Sequence, residues 1–328
     1  MRVEPEYVEQ FADLFEGRRD AYGTENGGCA RQPDGWPIWK STLANHLSGD
    51  SDPIGVYPMV PSPLFVDGND VVHHMWELKW GCVDFDIRTP TKPAGDYADT
   101  RSAHEAAIRL QQTTRALGLY GYVEQSRSGG YHLWVFAEEW VSAEQMRHAL
   151  MAACKAANVS AREVNPKNTG YDDPSTLGNY VRLPYPGHNP EGRRMFVSTM
   201  DGRVWRLGEF LAIVRKAPAD KIRAAAALWT PPPKEEVKVT PRTEIPSSDF
   251  KAMTKRLNGL AYTIFEEGPL GARYRALFKL AAECKNSGLT ADEAYTIVED
   301  ADARWGKFMG RADRVERLTE TVRRAYGG

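Results

Sequence analysis

The sequence predicts an α+β fold in two domains, and three patterns in its 328 residues support that prediction. After about residue 70, short strand-like runs alternate with amphipathic helical runs. A proline-rich, charged segment then interrupts the alternation, and only helical periodicity follows it. We therefore expect a sheet with helices over one face and an open second face, followed by a small all-α domain.

The composition is that of a globular protein, with 42% hydrophobic and 26% charged residues. No stretch approaches the roughly 18 apolar residues needed to cross a bilayer. The first ten residues also lack the apolar region of a secretory signal. These observations predict a cytoplasmic protein with no membrane partner.

The cysteines and the net charge narrow the functional classes further. No two cysteines form a C-x-x-C pair, so we expect reduced thiols rather than a zinc site or a disulfide framework. The four cysteines are Cys29, Cys82, Cys154 and Cys284. A net charge of −2 is unlike that of a protein that coats nucleic acid, but it leaves room for a local basic groove.

Proline, glycine and charge content predict where the domains begin and end. Residues 1–228 are predicted to form the first domain, in which residues 1–70 are a wrapping segment around the sheet. Residues 229–248 contain many prolines and charges and are predicted to be a semi-rigid linker. Residues 249–328 are predicted to form the helical domain.

Helical periodicity and capping residues locate the helices. Ser102-Ala103-His104-Glu105 has the spacing of a capping box, and Thr290-x-x-Glu293 repeats that spacing in the second domain. The helices predicted for the first domain are Glu4–Phe15, Lys40–Leu47, Ser102–Leu117, Ser142–Ala157 and Leu207–Lys216. Those predicted for the second domain are Asp249–Glu267, Ala272–Ser287, Thr290–Ala303 and Arg311–Tyr326.

The first candidate functional feature is the strand-like run Trp80–Arg88. Because side chains alternate along a strand, Asp84 and Asp86 are predicted to project from one face, opposite the apolar residues beside them. A divalent cation would relieve the repulsion between the two carboxylates, and hard oxygen ligands favour Mg²⁺ or Mn²⁺. The spacing alone equally allows a strand end whose aspartates face water.

The second candidate feature is a glycine-rich hairpin. Strands are predicted at Gly121–Gln125 and Tyr131–Phe136, joined by Ser126-Arg127-Ser128-Gly129-Gly130. Glycines let backbone N–H groups approach an anion closely, and His132 beside them can donate to a phosphate. An ordinary hairpin that carries a hydrogen-bonded histidine is the alternative.

Two further segments carry charged residues beside apolar ones. Glu163 ends a short predicted strand at Arg162–Val164, and Lys167 lies one turn away, so the pair is either part of a site or a solvent-facing ion pair. Arg182 lies in an apolar run, where a lone charge needs an anionic partner. That partner is either a buried carboxylate or a bound phosphate.

These segments together resemble the catalytic core of the archaeo-eukaryotic primase (AEP) superfamily, and more narrowly the primase-polymerases of phages, plasmids and mobile elements. The matching segments are Val83–Asp86, Ser128–Trp134, Glu163–Lys167 and Gly178–Pro184. The run Gly271–Leu280 resembles the small helical domain that often follows such cores. The resemblance implies an AEP/RRM-like mixed sheet covered by helices.

The resemblance implies roles for the acidic residues. Asp84, Asp86 and Glu163 would be metal ligands and catalytic residues that bind two Mg²⁺ or Mn²⁺ ions. The implied reaction is two-metal nucleotidyl transfer, in which a primase-polymerase synthesises primers on single-stranded DNA from NTP or dNTP substrates.

The resemblance also implies a nucleotide-binding set. His132 would contact the phosphates of the incoming nucleotide. Gly130 stands where the motif usually has serine, and Ser128 is the candidate to supply that hydroxyl. Lys167 and Arg182 would be further phosphate or template contacts.

The helical domain is the candidate holder of the second nucleotide or of the DNA during initiation. Arg273, Arg275 and Lys279 offer a basic helical surface for that role, and a solvated charged face is the alternative. Tyr131, Tyr180 and Tyr185 are candidates for selecting the nucleotide sugar.

The expected partners follow from what the sequence lacks. It contains no G-x-x-x-x-G-K-[ST] loop, so we expect a replicative helicase to act in trans, in phage or mobile-element replication within a bacterial host cell. Two other classes stay open. One is a metal-dependent nuclease or phosphotransferase, and the other is a non-catalytic replication-initiation protein that binds DNA.

Overall fold

The computed structural model divides the chain into two compact units, residues 1–230 and residues 231–328. The described residues are 3–66, 72–89, 95–160, 162–171, 173–231, 238–241, 246–269 and 272–327. Within these ranges, no helix is long and apolar enough to cross a membrane. Half of the predicted linker, residues 232–237 and 242–245, lies outside the described residues, as does Gly271.

The first unit combines helices with two sheets. Its strands are β1 (Ala21–Gly23), β2 (Cys29–Arg31), β3 (Gly55–Val56), β4 (Val60–Val66), β5 (Val72–Phe85), β6 (Tyr122–Gln125), β7 (Tyr131–Ser142), β8 (Val164–Asn165), β9 (Val181–Arg182) and β10 (Met195–Phe196). Its helices are α1 (Pro5–Leu14), α2 (Trp36–Ser48), α3 (Thr100–Ala116), α4 (Ala143–Ala157), α5 (Leu207–Ile213) and α6 (Ala219–Ala226).

The larger sheet has the strand order β10-β6-β7-β5-β4, with β8 also paired to β5. The predicted fold class is confirmed. Every named strand pair of the described residues is antiparallel, and isolated parallel bridges join Ile87 to Tyr97 and Ala137 to Ala217. The predicted hairpin accounts for the direction of β7. Because β6 turns directly into β7, the returning strand runs antiparallel to β5 rather than parallel to it.

Helices α3, α4 and α6 cover one face of the larger sheet, as predicted. Their apolar residues pack with Val83, Phe85 and Leu133 in one buried core. The prediction of an open second face is wrong for most of its area, because α1, α2 and α5 pack over Trp80 and Trp134 in a second core. The end of this face that carries Asp84 borders a cavity.

A change of register in β5 determines which side chains point to which face. The pairing with β7 shifts between Leu78 and Trp80. Leu78 therefore lies in the core beneath α3 and α4, whereas Trp80 lies in the opposite core. The alternation then continues without interruption, which places Asp84 and Asp86 on the same face as Trp80.

Most predicted helices are present, with a correction at the start of α3. Asp99, not Ser102, is the N-cap, because its carboxylate accepts the Ser102 amide at 2.7 Å. The Ser102 hydroxyl in turn accepts the Asp99 amide, so the serine is the third helical residue of the capping box. Sequence analysis missed α6, a short alanine-rich helix.

The N-terminal segment also contains a small sheet that the sequence did not predict, with the order β2-β1-β3-β9. Its strands have two or three residues each, too few for an alternating pattern to be visible. Tyr180 lies flat against Gly23 and Gly55, and a β-carbon at either glycine would come within 2.3 Å of the ring. Glycine is therefore required at both positions.

The second unit is helical, as predicted. Its helices are α7 (Ser247–Lys255), α8 (Gly259–Glu267), α9 (Arg273–Asn286), α10 (Ala291–Trp305) and α11 (Arg314–Tyr326). The single helix predicted at Asp249–Glu267 is wrong, because Asn258 breaks it and its side chain caps α8 by accepting the Ala261 amide at 2.8 Å. The capping box at Thr290 is confirmed.

Candidate active site

One cavity in the first unit brings together residues from all four of the segments that the sequence singled out. Its volume is about 570 Å³. The predicted site residues that line it are Asp84, Asp86, Ser128, His132, Glu163, Lys167 and Arg182. Acidic groups on the sheet lie on one side of this cavity, and arginines from turns and short strands lie on another.

The acidic side is a row of ionisable residues across neighbouring strands. His132 on β7 pairs in register with Glu124 on β6 and with Asp84 on β5. On the other edge of β5, the Asp84 amide donates to the Glu163 carbonyl at 3.0 Å, next to the pairing of β5 with β8. Strand pairing therefore fixes the spacing of four ionisable residues.

Glu124 is a residue that sequence analysis missed. Its buried carboxylate accepts from His132 Nδ1 at 2.9 Å and from Trp134 Nε1 at 2.6 Å. Glu124 could have been identified from its position in a predicted strand among apolar residues, because a buried carboxylate needs hydrogen-bonding or charged partners.

His132 lies between two carboxylates. Its Nε2 atom is 3.6 Å from Asp84 Oδ1, on the side opposite Glu124. Burial lowers the pKa of His132, but the charges of Glu124 and Asp84 outweigh burial and raise the pKa to about 9. The imidazole is therefore cationic at neutral pH and points into an acidic part of the cavity.

Asp84, Asp86 and Glu163 offer oxygen ligands of the type that Mg²⁺ and Mn²⁺ prefer, and all three line the cavity. Glu163 is engaged by Lys167, whose Nζ lies 2.5 Å from the glutamate Oε2. Among the described residues, no three His, Cys, Asp or Glu side chains are arranged as a preformed metal site. The chemistry of the donor set fits a divalent ion, and Glu163 is paired with Lys167 in this structure.

Arg147 on α4 supports the segment that carries Glu163 and Lys167. Its guanidinium donates to the carbonyls of Val164 and Pro166 at 2.9 and 2.7 Å. Burial lowers the pKa of Arg147, which nonetheless remains charged at any physiological pH. The side chain thus fixes β8 against the helix layer.

The glycine-rich hairpin forms as predicted, with β6 and β7 joined through residues 126–130. A β-carbon on Gly130 would lie 2.4 Å from the Phe85 carbonyl oxygen, so the backbone of β5 excludes a side chain there. The hydroxyls that line the cavity belong to Ser126 and Ser128, whose Oγ atoms are 3.2 Å apart. The structure thus explains why serine is absent from position 130.

Arg182 has the carboxylate partner that the sequence left open. The partner is Glu25, in the turn between β1 and β2, whose carbonyl accepts from Arg182 Nη2 at 3.0 Å and whose Oε2 lies 3.7 Å from Arg182 Nε. Glu25 also pairs with Arg127 and Arg194, both of which line the cavity. We refer to Arg127, Arg182 and Arg194 as the arginine cluster.

Arg194 and Glu25 are further site residues that sequence analysis missed. Arg194 is 5% exposed and has a left-handed backbone with φ of 60°, which is uncommon outside glycine. Burial opposes ionisation of Glu25, but the hydrogen bonds and charges of the arginine cluster outweigh it and hold the Glu25 pKa below its usual value. Neither Glu25 nor Arg194 lies in a periodic pattern, and each is paired with residues distant in the sequence. The sequence therefore contains no local pattern that would identify them.

The three candidate tyrosines differ in position. Tyr180 lines the cavity, whereas Tyr131 stacks on His104 and Tyr185 donates to the Trp205 carbonyl. In the second unit, Arg273 donates to the Trp305 and Gly306 carbonyls at the end of α10. Arg275 and Lys279 are exposed on α9.

Comparison with known proteins identifies the family. A family model described as the archaeo-eukaryotic primase domain of the TOTE conflict system matches residues 25–225, which is more than half of the chain. The chain therefore belongs to this family of AEP domains, which confirms the resemblance and extends it into the N-terminal segment. Glu25 is the first residue of the matched region.

One solved structure aligns with most of this chain at low similarity. The crystal structure of primase RepB′ aligns with a TM-score of 0.30 and 12% sequence identity. The alignment covers 99% of this chain and 94% of that chain. No curated protein matches the sequence.

Proposed function

We propose that this chain is a template-directed nucleotidyltransferase that synthesises primers on single-stranded DNA with Mg²⁺ or Mn²⁺ and extends them from NTP or dNTP substrates. One observation carries the proposal. The three carboxylates, His132 and the arginine cluster come from separate parts of an AEP-family chain and line a single cavity. Carboxylates suit metal ions, and guanidinium groups suit a triphosphate.

Asp84 and Asp86 would hold the divalent ions, with Glu163 as a third ligand once it separates from Lys167. Bound there, the ions would supply Lewis-acid stabilisation of the attacking and leaving oxygens of the transferred phosphoryl group. The backbone pairing of Asp84 with the Glu163 segment keeps the three carboxylates on one rigid support.

The basic residues would bind and orient the nucleotide. His132, held in its cationic form by Glu124, donates a hydrogen bond to a phosphate oxygen. Arg182 and Lys167 add charge-assisted hydrogen bonds, and Ser128 adds a hydroxyl from the hairpin turn. Positioning a triphosphate and a 3′-hydroxyl side by side is the main contribution that a protein makes to phosphoryl transfer.

The cellular setting is part of the proposal. The chain would act in the host cytoplasm with a replicative helicase in trans, either in phage or mobile-element replication or in a conflict system of the kind that the family description names. The helical second unit would hold a second nucleotide or the DNA during initiation, with Arg275 and Lys279 as its exposed basic residues.

The test is a primer-synthesis assay with labelled nucleotides, a single-stranded DNA template and Mg²⁺ or Mn²⁺. Replacing both aspartates, Asp84→Asn with Asp86→Asn, should lower dinucleotide formation and primer extension by at least about 10²–10³-fold, the range for loss of a preorganised electrostatic group. Glu105→Gln is the matched control, since Glu105 is exposed on α3 and pairs with Arg101.

Each outcome of that assay has a meaning. Full activity of the double variant would contradict the metal assignment. Release of nucleotides from the template without incorporation would favour a nuclease or phosphotransferase. Template binding by the wild-type protein with neither reaction would favour a non-catalytic DNA-binding protein.

A further inference from the structure

Glu25 makes an unusual set of contacts for a single carboxylate. Its two oxygens accept from Arg194 Nη2 and Nη1 at 2.8 and 3.1 Å, in a bidentate pair. Arg127 Nη1 also donates to Oε1, and Arg182 Nε lies 3.7 Å from Oε2. One glutamate is thus the shared acidic partner of three guanidinium groups that line the cavity.

The charges in this cluster do not balance. Three guanidinium groups face one carboxylate, which leaves an excess of positive charge around a buried Arg194, although Arg127 and Arg182 are partly exposed. The side chain of Arg194 is 6% exposed, and its Nε atom has no hydrogen-bond partner among the described residues. A buried donor without an acceptor lowers the stability of the folded protein. An anion that accepted a hydrogen bond from Arg194 Nε would remove this penalty, so the cluster can bind a further anionic group.

A triphosphate matches that capacity better than Glu25 does. It carries several negative charges and many acceptor oxygens, and guanidinium groups bind phosphate oxygens in bidentate pairs. Arg127 and Arg182 lie in the same cavity as His132 and Ser128, which are candidate phosphate contacts. Glu25 therefore neutralises guanidinium groups that an anionic ligand of this cavity would contact.

The turn that carries Glu25 can move without breaking the fold around it. Its tip, Asn26–Gly28, is exposed, and the turn is closed mainly by hydrogen bonds between Thr24 and Gly28. Gly27 has a φ of 90°, a conformation that favours glycine. The base of the turn is held separately, because the Tyr180 hydroxyl donates to the Thr24 carbonyl at 2.9 Å.

We propose that Glu25 occupies the triphosphate subsite when no nucleotide is bound, and that the incoming triphosphate displaces it from the arginine cluster. This inference rests on the proposed function. Glu25 would keep the three guanidinium groups together in the free protein and would compete with ligands. A ligand would bind only if it could contact several of these arginines at the same time in place of Glu25.

The direct test is calorimetric binding of inorganic tripolyphosphate, without metal, to the wild-type protein and to Glu25→Gln. Glutamine keeps the shape and loses the competing charge, so tripolyphosphate should bind about fivefold to tenfold more tightly to the variant, the lower part of the range for a coupling between two ligands. If Glu25 only organises the arginines, the same substitution should weaken binding. Glu9→Gln is the matched control, because Glu9 pairs with Lys40 and Trp36.

A second measurement uses the unaltered protein and therefore does not depend on the folding of a variant. Hydrogen exchange at residues 24–28 should become faster when tripolyphosphate is added, because the turn loses the contacts of Glu25. Unchanged or slower exchange there would overturn the inference. Equal or weaker binding by Glu25→Gln would also overturn it and leave the proposed function intact.

The proposed function fails differently. If the wild-type protein does not bind tripolyphosphate or nucleoside triphosphate, and Arg194→Met changes nothing, the cavity is not a triphosphate site. In that case the cluster is a structural ion-pair network.

Discussion

The two sides of the cavity are built in different ways. On the acidic side, Glu124, His132 and Asp84 lie in register on three paired strands, and Glu163 lies immediately before β8. On the basic side, Arg127 lies in a turn, Arg182 in a strand of two residues and Arg194 at a left-handed backbone position. A continuous sheet supports one side, whereas irregular segments that meet at Glu25 support the other.

This difference suggests a division of labour. Strand pairing holds side chains at fixed spacing, which would suit the proposed binding of metal ions and of the reacting atoms. Turns and short strands tolerate rearrangement more easily, which would suit the proposed release of Glu25 and binding of a nucleotide. Substitutions on the acidic side should therefore lower kcat, whereas those on the basic side should mainly raise KM.

Arg194→Met should give the largest effect on the basic side. A charge-assisted hydrogen bond to phosphate contributes about 1.5–3 kcal/mol, so the apparent KM for nucleotide should rise roughly tenfold to a hundredfold, with a smaller change in kcat. Steady-state primer extension at varied nucleotide concentration measures both constants. Arg101→Met is the control, because Arg101 is 88% exposed on α3. A fall in kcat at constant KM would contradict the proposal that the basic side acts mainly on nucleotide binding.

The same contrast explains what the sequence could reveal. Asp84 and Asp86 were identifiable because a period of two places both on one face of a strand, and the hairpin was identifiable from its glycines. Glu25 and Arg194 were not, since their ion pair spans 169 residues and leaves no local pattern. The small sheet of the N-terminal segment was missed for a related reason, because strands of two or three residues are too short to show a period.

The sequence also could not show that helices cover the second face of the larger sheet. Trp80 and Trp134 are fully buried, but a buried tryptophan has the same local signature whether a helix, a loop or a partner covers it. Here α1 and α2 from the N-terminal segment cover the two rings, and Trp80 Nε1 donates to the Glu16 carbonyl at 3.0 Å.

Glu124→Gln should give an intermediate effect on the acidic side. Glutamine can still accept from Trp134, but it removes one of the two charges that hold His132 cationic. We expect kcat to fall about tenfold and, because His132 is a proposed phosphate contact, the apparent KM for nucleotide to rise as well. Steady-state kinetics and a melting curve separate this positioning role from a loss of folding. Glu139→Gln, at an exposed position of β7, is the control. A change in melting temperature with unaltered kcat would show that Glu124 is only structural.

The smallest effect concerns acid stability, and it arises from a histidine that supports the basic side. His46 on α2 is fully buried, donates from Nε2 to the Pro184 carbonyl at 2.9 Å, and accepts the Ile54 amide at Nδ1. Both nitrogens are used by the neutral ring. Burial, aided by the charge of Arg194, lowers the pKa of His46 to about 4, although the hydrogen bond to the Pro184 carbonyl and the charge of Glu25 oppose this shift.

Because the pKa of His46 is lower in the folded state than in the unfolded chain, the unfolded state takes up the proton first as the pH falls. The free energy of unfolding should therefore be greatest above about pH 6.5 and decrease towards pH 4, with a loss of about 1 kcal/mol between pH 7 and pH 5.5. Denaturant unfolding of the wild-type protein and of His46→Gln at both pH values measures the contribution of His46 to the free energy of unfolding. If His46→Gln loses as much stability between pH 7 and pH 5.5 as the wild-type protein does, groups other than His46 cause the acid sensitivity. Arg147, which supports the acidic side, stays charged over this range and is not one of those groups.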